Sequence, residues 1–282
     1  MTYRECYEQG REVLTRAGIE EATLDARLLL EHVCATNRND LLVHGDREVA
    51  VEQCEAYREL IQKRASRIPL QHITGVQEFM GLEFAVSDKV LIPRQDTEIL
   101  VEEVLRELQS GMRILDICTG SGCILLSLLH YSNDCMGVGV DISSQALEVA
   151  GRNGERLSRE RVLDYTFLEG DLFAPVKGKF DIIVSNPPYI ATAVIETLEP
   201  EVREHEPMLA LDGKEDGLFF YRRIVAECGA YLNRGGRLYL EIGFDQGQAV
   251  RELLETAGFT EVQVVQDYAG LDRVVHGIYF GE

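Results

Sequence analysis

No run of apolar residues in the 282-residue sequence approaches the ~20 needed to cross a bilayer; the longest, such as Ile124 to Leu129, fall far short. The amino terminus, Met1-Thr2-Tyr3-Arg4-Glu5-Cys6, is followed by no apolar leader segment, so a cytoplasmic protein with no membrane partner is expected. Seven cysteines (Cys6, Cys34, Cys54, Cys118, Cys123, Cys135, Cys228) are odd in number and include no CxxC pair. Neither a disulfide framework nor a zinc site is indicated, no metal is expected, and buried reduced thiols are the simpler reading. Basic residues are scarce: 28 Lys+Arg stand against 48 Asp+Glu, a net charge of -20. Contact with a nucleic-acid backbone needs a basic surface to release counterions, so the charge argues against direct nucleic-acid binding and for a protein or small-molecule partner. Repeats and low-complexity stretches are also missing.

What is present is enough apolar material, 45% of the chain, to bury a core in one large domain or in a large and a small one. Residues 3–17, 23–36 and 48–66 place apolar residues at helical spacing, for example Leu24, Leu28 and Val33, with Gly18 and Pro69 as breaks. This predicts a small helical bundle over residues 1–68. Around Gly75 and Gly81 the pattern turns to short alternating segments such as Leu82-Glu83-Phe84-Ala85-Val86, which predicts a β-hairpin linker over 69–90. From there to residue 282 strands and helices alternate. Strands are expected at 113–117, 136–140, 165–168, 180–185 and 236–242, with helices near 96–109, 122 onward, 143–157, 218–232 and 246–257. That rhythm implies an α/β domain with a mostly parallel sheet covered on both faces. Segments 261–266 and 273–280 are close enough to finish it as an antiparallel pair.

Asn186-Pro187-Pro188-Tyr189 follows the apolar run Phe180 to Ser185. Two prolines cannot continue a strand ladder or a helix, so the tetrapeptide is a rigid loop at the carboxyl end of a buried strand, the edge at which open α/β sheets bind ligands. An amide, two restricted residues and a phenol can hold a flat nitrogen nucleophile by hydrogen bonds and stacking. Taken alone, the same residues also fit an ordinary proline turn.

Asp116-Ile117-Cys118-Thr119-Gly120-Ser121-Gly122 ends the first strand of the sheet and opens a helix. Its glycines let a ligand approach the backbone, and the helix start offers free N–H groups. Asp141 ends the next strand 21 residues after Gly120, where a carboxylate can accept both hydroxyls of a ribose. A dinucleotide fingerprint needs a third small residue where this chain has Leu125. Acidic Asp116 would repel phosphate but suits the cationic amino-acid end of S-adenosylmethionine, which is therefore the expected cofactor. At the end of the third strand, Asp171 or the backbone beside it is a candidate for the adenine amine, with Leu172 packing on the ring. Asp171 fits a simple turn cap equally well.

These motifs, together with Pro69-Leu70-Gln71-His72-Ile73-Thr74-Gly75, Leu91-Ile92-Pro93-Arg94-Gln95-Asp96-Thr97-Glu98 and Leu240-Glu241-Ile242-Gly243, resemble the protein-(glutamine) methyltransferases that modify peptide-chain release factors. The resemblance covers nearly the whole chain. It implies a helical substrate-recognition domain joined to a seven-stranded, Rossmann-like methyltransferase domain. It also implies methylation of the glutamine in the GGQ loop of a release factor, supporting translation termination. The family often has Gly where this chain has Cys118, and Pro where it has Gln95. NPPY also occurs in enzymes that methylate exocyclic amines of nucleobases, so a DNA or RNA methyltransferase is the alternative, and a catalytically silent binding protein a further one. On the first reading Asn186, Pro187 and Tyr189 carry the catalysis. Pro188 and Arg94 join them in holding substrate, and Asn186 also borders the cofactor. His72, His205 and Glu241 are read as structural.

Overall fold

The computed structural model describes residues 1–281. By internal contacts they divide into two units, residues 1–76 with 199–205, and residues 77–198 with those from 206 onward.

The first unit is built from α1 (Tyr3–Arg16), α2 (Ala22–Cys34), α3 (Arg38–Val43), α4 (Val51–Ala65) and α5 (Leu70–Thr74). Helix α1 begins where Thr2 and Glu5 exchange backbone-to-side-chain hydrogen bonds of 2.9 and 3.2 Å, a reciprocal cap that satisfies two otherwise unpaired N–H groups. Leu14, Leu29, Leu30, Tyr57 and Ile61 fill the space between helices. On α2 the buried stripe is Ala22, Ala26, Leu29 and Leu30, while Leu24 is exposed. The expected stripe through Leu24, Leu28 and Val33 is therefore rotated. The reason is Asp25, which is drawn inward by Arg64 of α4 at 2.7 Å. Arg64 also reaches Glu201 at 3.1 Å, and Arg67 shares that carboxylate at 3.1 Å.

The second unit begins one residue into the hairpin of β1 (Val76–Phe79) and β2 (Leu82–Ala85), whose Phe79 and Phe84 are fully buried. After a 3₁₀ turn at Gln95–Thr97 come α6 (Glu98–Glu107), β3 (Arg113–Ile117), α7 (Cys123–Tyr131), β4 (Met136–Asp141), α8 (Ser144–Leu157), β5 (Asp164–Glu169) and β6 (Phe180–Ser185). The three short helices α9 (Thr192–Ile195), α10 (Pro200–His205) and α11 (Met208–Leu211) follow, α10 belonging to the first unit. The chain ends with α12 (Phe219–Cys228), β7 (Leu232–Glu241), α13 (Gly247–Thr256), β8 (Phe259–Gln266) and β9 (Asp272–Tyr279).

The seven strands form one sheet in the order β5-β4-β3-β6-β7-β9-β8, parallel except where β9 runs antiparallel to both neighbours. Alternate residues of the central strands face opposite layers. Ile114, Ile182 and Val184 pack with α6 and α7, and Leu115, Ile117 and Ile183 with α12 and α13. The chain winds outward from β3 through β4 to β5, then returns to β6 on the other side. The carboxyl edge of β3 is thus the topological switch point.

Helices α3, α5 and α9 to α11 were not expected from sequence. Each has six residues or fewer, too short to display a helical period.

Candidate active site

Sheet register brings the motifs together. Ile117 of β3 pairs with Val140 on one side and Ser185 on the other, so the residues just beyond, Cys118, Asp141 and Asn186, leave the sheet at one level. The Ser185 hydroxyl donates to the Ile117 carbonyl at 2.6 Å and clamps the two strand ends. A cavity opens over this edge. Of the residues singled out from sequence, Arg94, Cys118, Thr119, Gly120, Ser121, Asp141, Asp171, Leu172, Asn186 and Pro188 line it. Asp116, Gly122, Pro187 and Tyr189 do not.

The loop after β3 is a tight turn: Thr119 N–H donates to Val140 O at 2.9 Å and Gly122 N–H to Thr119 O at 2.8 Å. Gly120 (φ 55°) has open space where a Cβ would stand. Gly122 serves packing instead, since a Cβ there would meet Ala150 and Phe167 at 3.2 Å. From behind, Asn153 of α8 donates to Ser121 O at 2.9 Å and to Ala85 O at 3.1 Å, fastening loop and hairpin together. Cys118 sits at φ 61°, a left-handed backbone that a Cβ disfavours. This explains a family preference for Gly at that position. Burial, with Asp141 and Asp116 nearby, pushes its thiol pKa up and keeps it protonated.

Asp116 is 0% exposed. Its Oδ2 accepts from the Thr119 hydroxyl at 2.6 Å, while Oδ1 has no partner. Burial raises its pKa to about 7, against the lowering effect of Thr119 and with a further push from Asp141. Asp141 accepts Gly120 N–H on Oδ2 and Ser143 N–H on Oδ1, both at 2.9 Å. Burial raises its pKa too, while those backbone donors oppose the shift. Asp171 lies at the rim with both oxygens committed to Arg223, at 3.0 and 2.9 Å. Leu172 beside it is buried at φ 49°.

On the other wall, the Asn186 amide donates from Nδ2 to the Thr97 hydroxyl at 3.3 Å, which leaves Oδ1 as an acceptor for a ligand. The Tyr189 ring turns away into the layer below, and its hydroxyl approaches Glu241 Oε1 at 3.5 Å. Gln246 of α13 donates to the Tyr189 carbonyl at 3.0 Å and holds the loop from beneath. Arg94 pairs with the buried Glu206 at 2.5 Å. Thr97, Ile142, Pro207, Leu209 and Phe220 also line the cavity and were not singled out from sequence. Pro207 and Leu209 belong to a segment with no period to read. Thr97 had a signal, its place in the LIPRQDTE segment.

Among the described residues, no group of three or more His, Cys, Asp or Glu side chains is arranged to hold a metal ion, and no helix is long and apolar enough to cross a membrane.

Residues 5–75 match the family model of the PrmC N-terminal domain, and residues 94–203 that of the methyltransferase small domain. A release factor glutamine methyltransferase of Geobacter sulfurreducens is 45% identical over 277 residues, covering 98% of this chain and 96% of that protein. Its counterpart in Caulobacter vibrioides is 41% identical over 281 residues, covering 99% and 96%. Among solved structures, a methyltransferase from Pyrococcus furiosus superposes with a TM-score of 0.55 at 20% identity, over 78% of this chain and 100% of that one, a likeness of fold.

Proposed function

The chain belongs to the release factor glutamine methyltransferases, and on that premise we propose that its cavity holds S-adenosylmethionine while NPPY presents the glutamine side chain from the GGQ motif of a peptide-chain release factor. The observation that carries this reading is Asn186, whose Nδ2 is committed to Thr97 and whose Oδ1 is left for a substrate N–H at the cavity wall.

The residues present suit this cofactor. Asp116 sits behind the cavity-lining Thr119 that it holds at 2.6 Å, so an ionised Asp116 places negative charge beneath the amino-acid end of the cofactor, a position hostile to phosphate. The Asp141 oxygens each retain a lone pair for a ribose hydroxyl beyond the backbone bonds they accept. For adenine, Leu172 and the backbone beside it are candidates, and the Asp171 oxygens, each accepting one Arg223 N–H, also retain a lone pair for the adenine amine. Thr119, Gly120, Ser121 and the backbone of Cys118 would border the amino-acid end. When bound, the cofactor supplies an electrophilic methyl group on a sulfonium.

A glutamine amide is a weak nucleophile because its nitrogen lone pair is delocalised into the carbonyl. The proposed work of the protein is therefore positional. Asn186 Oδ1 and the Pro187 carbonyl accept the two amide N–H bonds, which fixes the amide plane and favours pyramidal nitrogen at attack. Pro188 keeps the loop rigid. Tyr189, facing inward, supports the loop from below rather than stacking on the substrate. No strong base is required, because the N–H becomes acidic once the nitrogen is alkylated and its proton passes to water. Positioning and desolvation of this kind reach about 7–11 kcal/mol where geometry is ideal. Recognition of the release factor is assigned to the helical domain, residues 1–68, joined through 69–90 to the catalytic domain, residues 91–282, which is supported by the separate family match over 5–75. The nucleobase alternative draws no support from a net charge of -20.

Labelled methyl transfer to release factors with the GGQ glutamine intact or replaced tests the substrate; label that persists after replacement defeats it. Asn186→Ala is expected to abolish transfer while cofactor affinity falls only modestly. Retained transfer in that variant removes Asn186 from its role.

A further inference from the structure

Glu206-Pro207-Met208-Leu209-Ala210-Leu211 brings the chain back into the second unit after α10, and three of its residues, Pro207, Leu209 and Ala210, line the cavity. Its one turn of helix, α11, is too short to persist by itself. From Pro207 to Leu211 no side chain is polar, so this strap is fastened at its ends. At the far end Ile190 N–H donates to the Leu211 carbonyl at 3.0 Å and Gly213 N–H to the Ile190 carbonyl at 2.8 Å, which ties the strap to the residue that follows NPPY. At the near end the hold is Glu206. Its side chain is 1% exposed, Oε1 accepts from Arg94 at 2.5 Å and Oε2 has no partner, so Arg94 is the counter-ion of this carboxylate. We propose that Glu206 is a positioning residue for the cofactor: through its ion pair with Arg94 it holds the strap against the cavity and slows escape of the cofactor. The proposal rests on S-adenosylmethionine as the occupant of the cavity.

The two partners are buried unequally, and that decides which of them is the anchor. Arg94 extends a segment whose Val90, Leu91 and Pro93 line the same cavity, and its side chain is 42% exposed. Water can solvate this cation if its partner is lost. A buried carboxylate has no such recourse. Without Arg94 it must take up a proton or swing out to water, and Pro207, the next residue in the chain, moves with it. Leu209 is 67% exposed although it lines the cavity, which places it at the mouth. With the strap tied down, an apolar side chain stands over the opening; with the strap released, that side chain is free to leave it. The pair also joins residues 112 positions apart in the chain, so the cavity is closed by a contact between its LIPR wall and the strap rather than by either alone.

The test uses the full chain with Glu206→Gln, Arg94→Met and the double variant. In the unliganded protein, hydrogen exchange at the Ile190 and Ala210 amides, which donate to the Leu211 and Pro207 carbonyls, should quicken about tenfold in Glu206→Gln, while the Thr119 amide, bonded to the Val140 carbonyl, keeps its protection. S-adenosylmethionine should dissociate about tenfold faster from each single variant and no faster from the double variant, because one charge-assisted bond can be lost only once. Unchanged exchange at Ile190 and Ala210 overturns the proposal. So does a lowered melting temperature with cofactor dissociation unchanged, which would make the pair merely structural. Losses that multiply in the double variant overturn it too, since the two residues would then act separately. A wild type that fails to bind S-adenosylmethionine would instead sink the cofactor reading, and exchange at the strap then decides the anchoring role of Glu206 alone.

Discussion

Asp116 bears an electrostatic cost that a ligand can relieve. Its pKa is raised, from 3.8 to about 7, so its contribution to stability is fully present below pH 3.8 and is lost as the pH rises through about 7. Above that point the unliganded protein carries a buried anion whose Oδ1 is unpartnered. Asp116→Asn is expected to be more stable than wild type at alkaline pH without cofactor, by on the order of 3 kcal/mol, with the gap closing towards pH 4. Denaturant melts at the two ends of that range check it; a gap of equal size at both would refute it. The same variant should bind S-adenosylmethionine poorly, so stability and function trade against each other at one atom. The places of Asp116, Asp141 and Asn186 at or beside strand ends were legible in the sequence because each hydrophobic run marks its own end. Asn153 and Gln246 were not, since each acts on the backbone of another element, 32 and 57 positions away. The departure at Cys118 was visible, but its left-handed backbone was not.

At the level of elements, the NPPY loop owes its shape to what crowds it from outside. Gly217 lies at φ 74°, and a Cβ there would stand 2.3 Å from the Tyr189 carbonyl oxygen, the atom that Gln246 also grips. The loop, and Asn186 with it, must shift if any side chain is placed there. Gly217→Ala is expected to lower kcat by about tenfold or more, because an ångström of misplacement is expensive in a positional mechanism. The left-handed backbone adds a stability cost of about 1–2 kcal/mol. Steady-state kinetics beside thermal melts separate the two effects; unchanged kcat would show that the loop is not held this way. The strands that frame the loop were read nearly to the residue, 113–117 and 180–185 among them, since a short apolar run between breakers has few alternative pairings. The segment from α9 to α11 was unreadable for the opposite reason: its helices of four to six residues are held by tertiary contacts rather than by a pattern of their own.

For the molecule as a whole, the unit assignments do not follow chain order. Residues 199–205 belong with 1–76, and Glu201 is the carboxylate shared by Arg64 and Arg67. Burial raises the Glu201 pKa, but hydrogen bonds from its own backbone and from the two arginines outweigh that and lower it overall. Glu201→Gln should destabilise the first unit by about 1–3 kcal/mol, less than the loss of an entire buried pair because Arg64 keeps Asp25. Urea unfolding followed in that unit measures it, and an unchanged midpoint would mean the shared carboxylate contributes nothing. Sequence reading divided the chain into consecutive blocks because a segment that returns to an earlier unit leaves no mark in composition.

That return has a consequence in time. Glu201 is synthesised 137 residues after Arg64, so at about 5–20 residues per second the carboxylate arrives roughly 7–27 s after the guanidinium. Through that interval a nascent first unit can bury Arg64 against Asp25 alone, and its final charge balance is set only after the strands that carry the catalytic loops have left the ribosome.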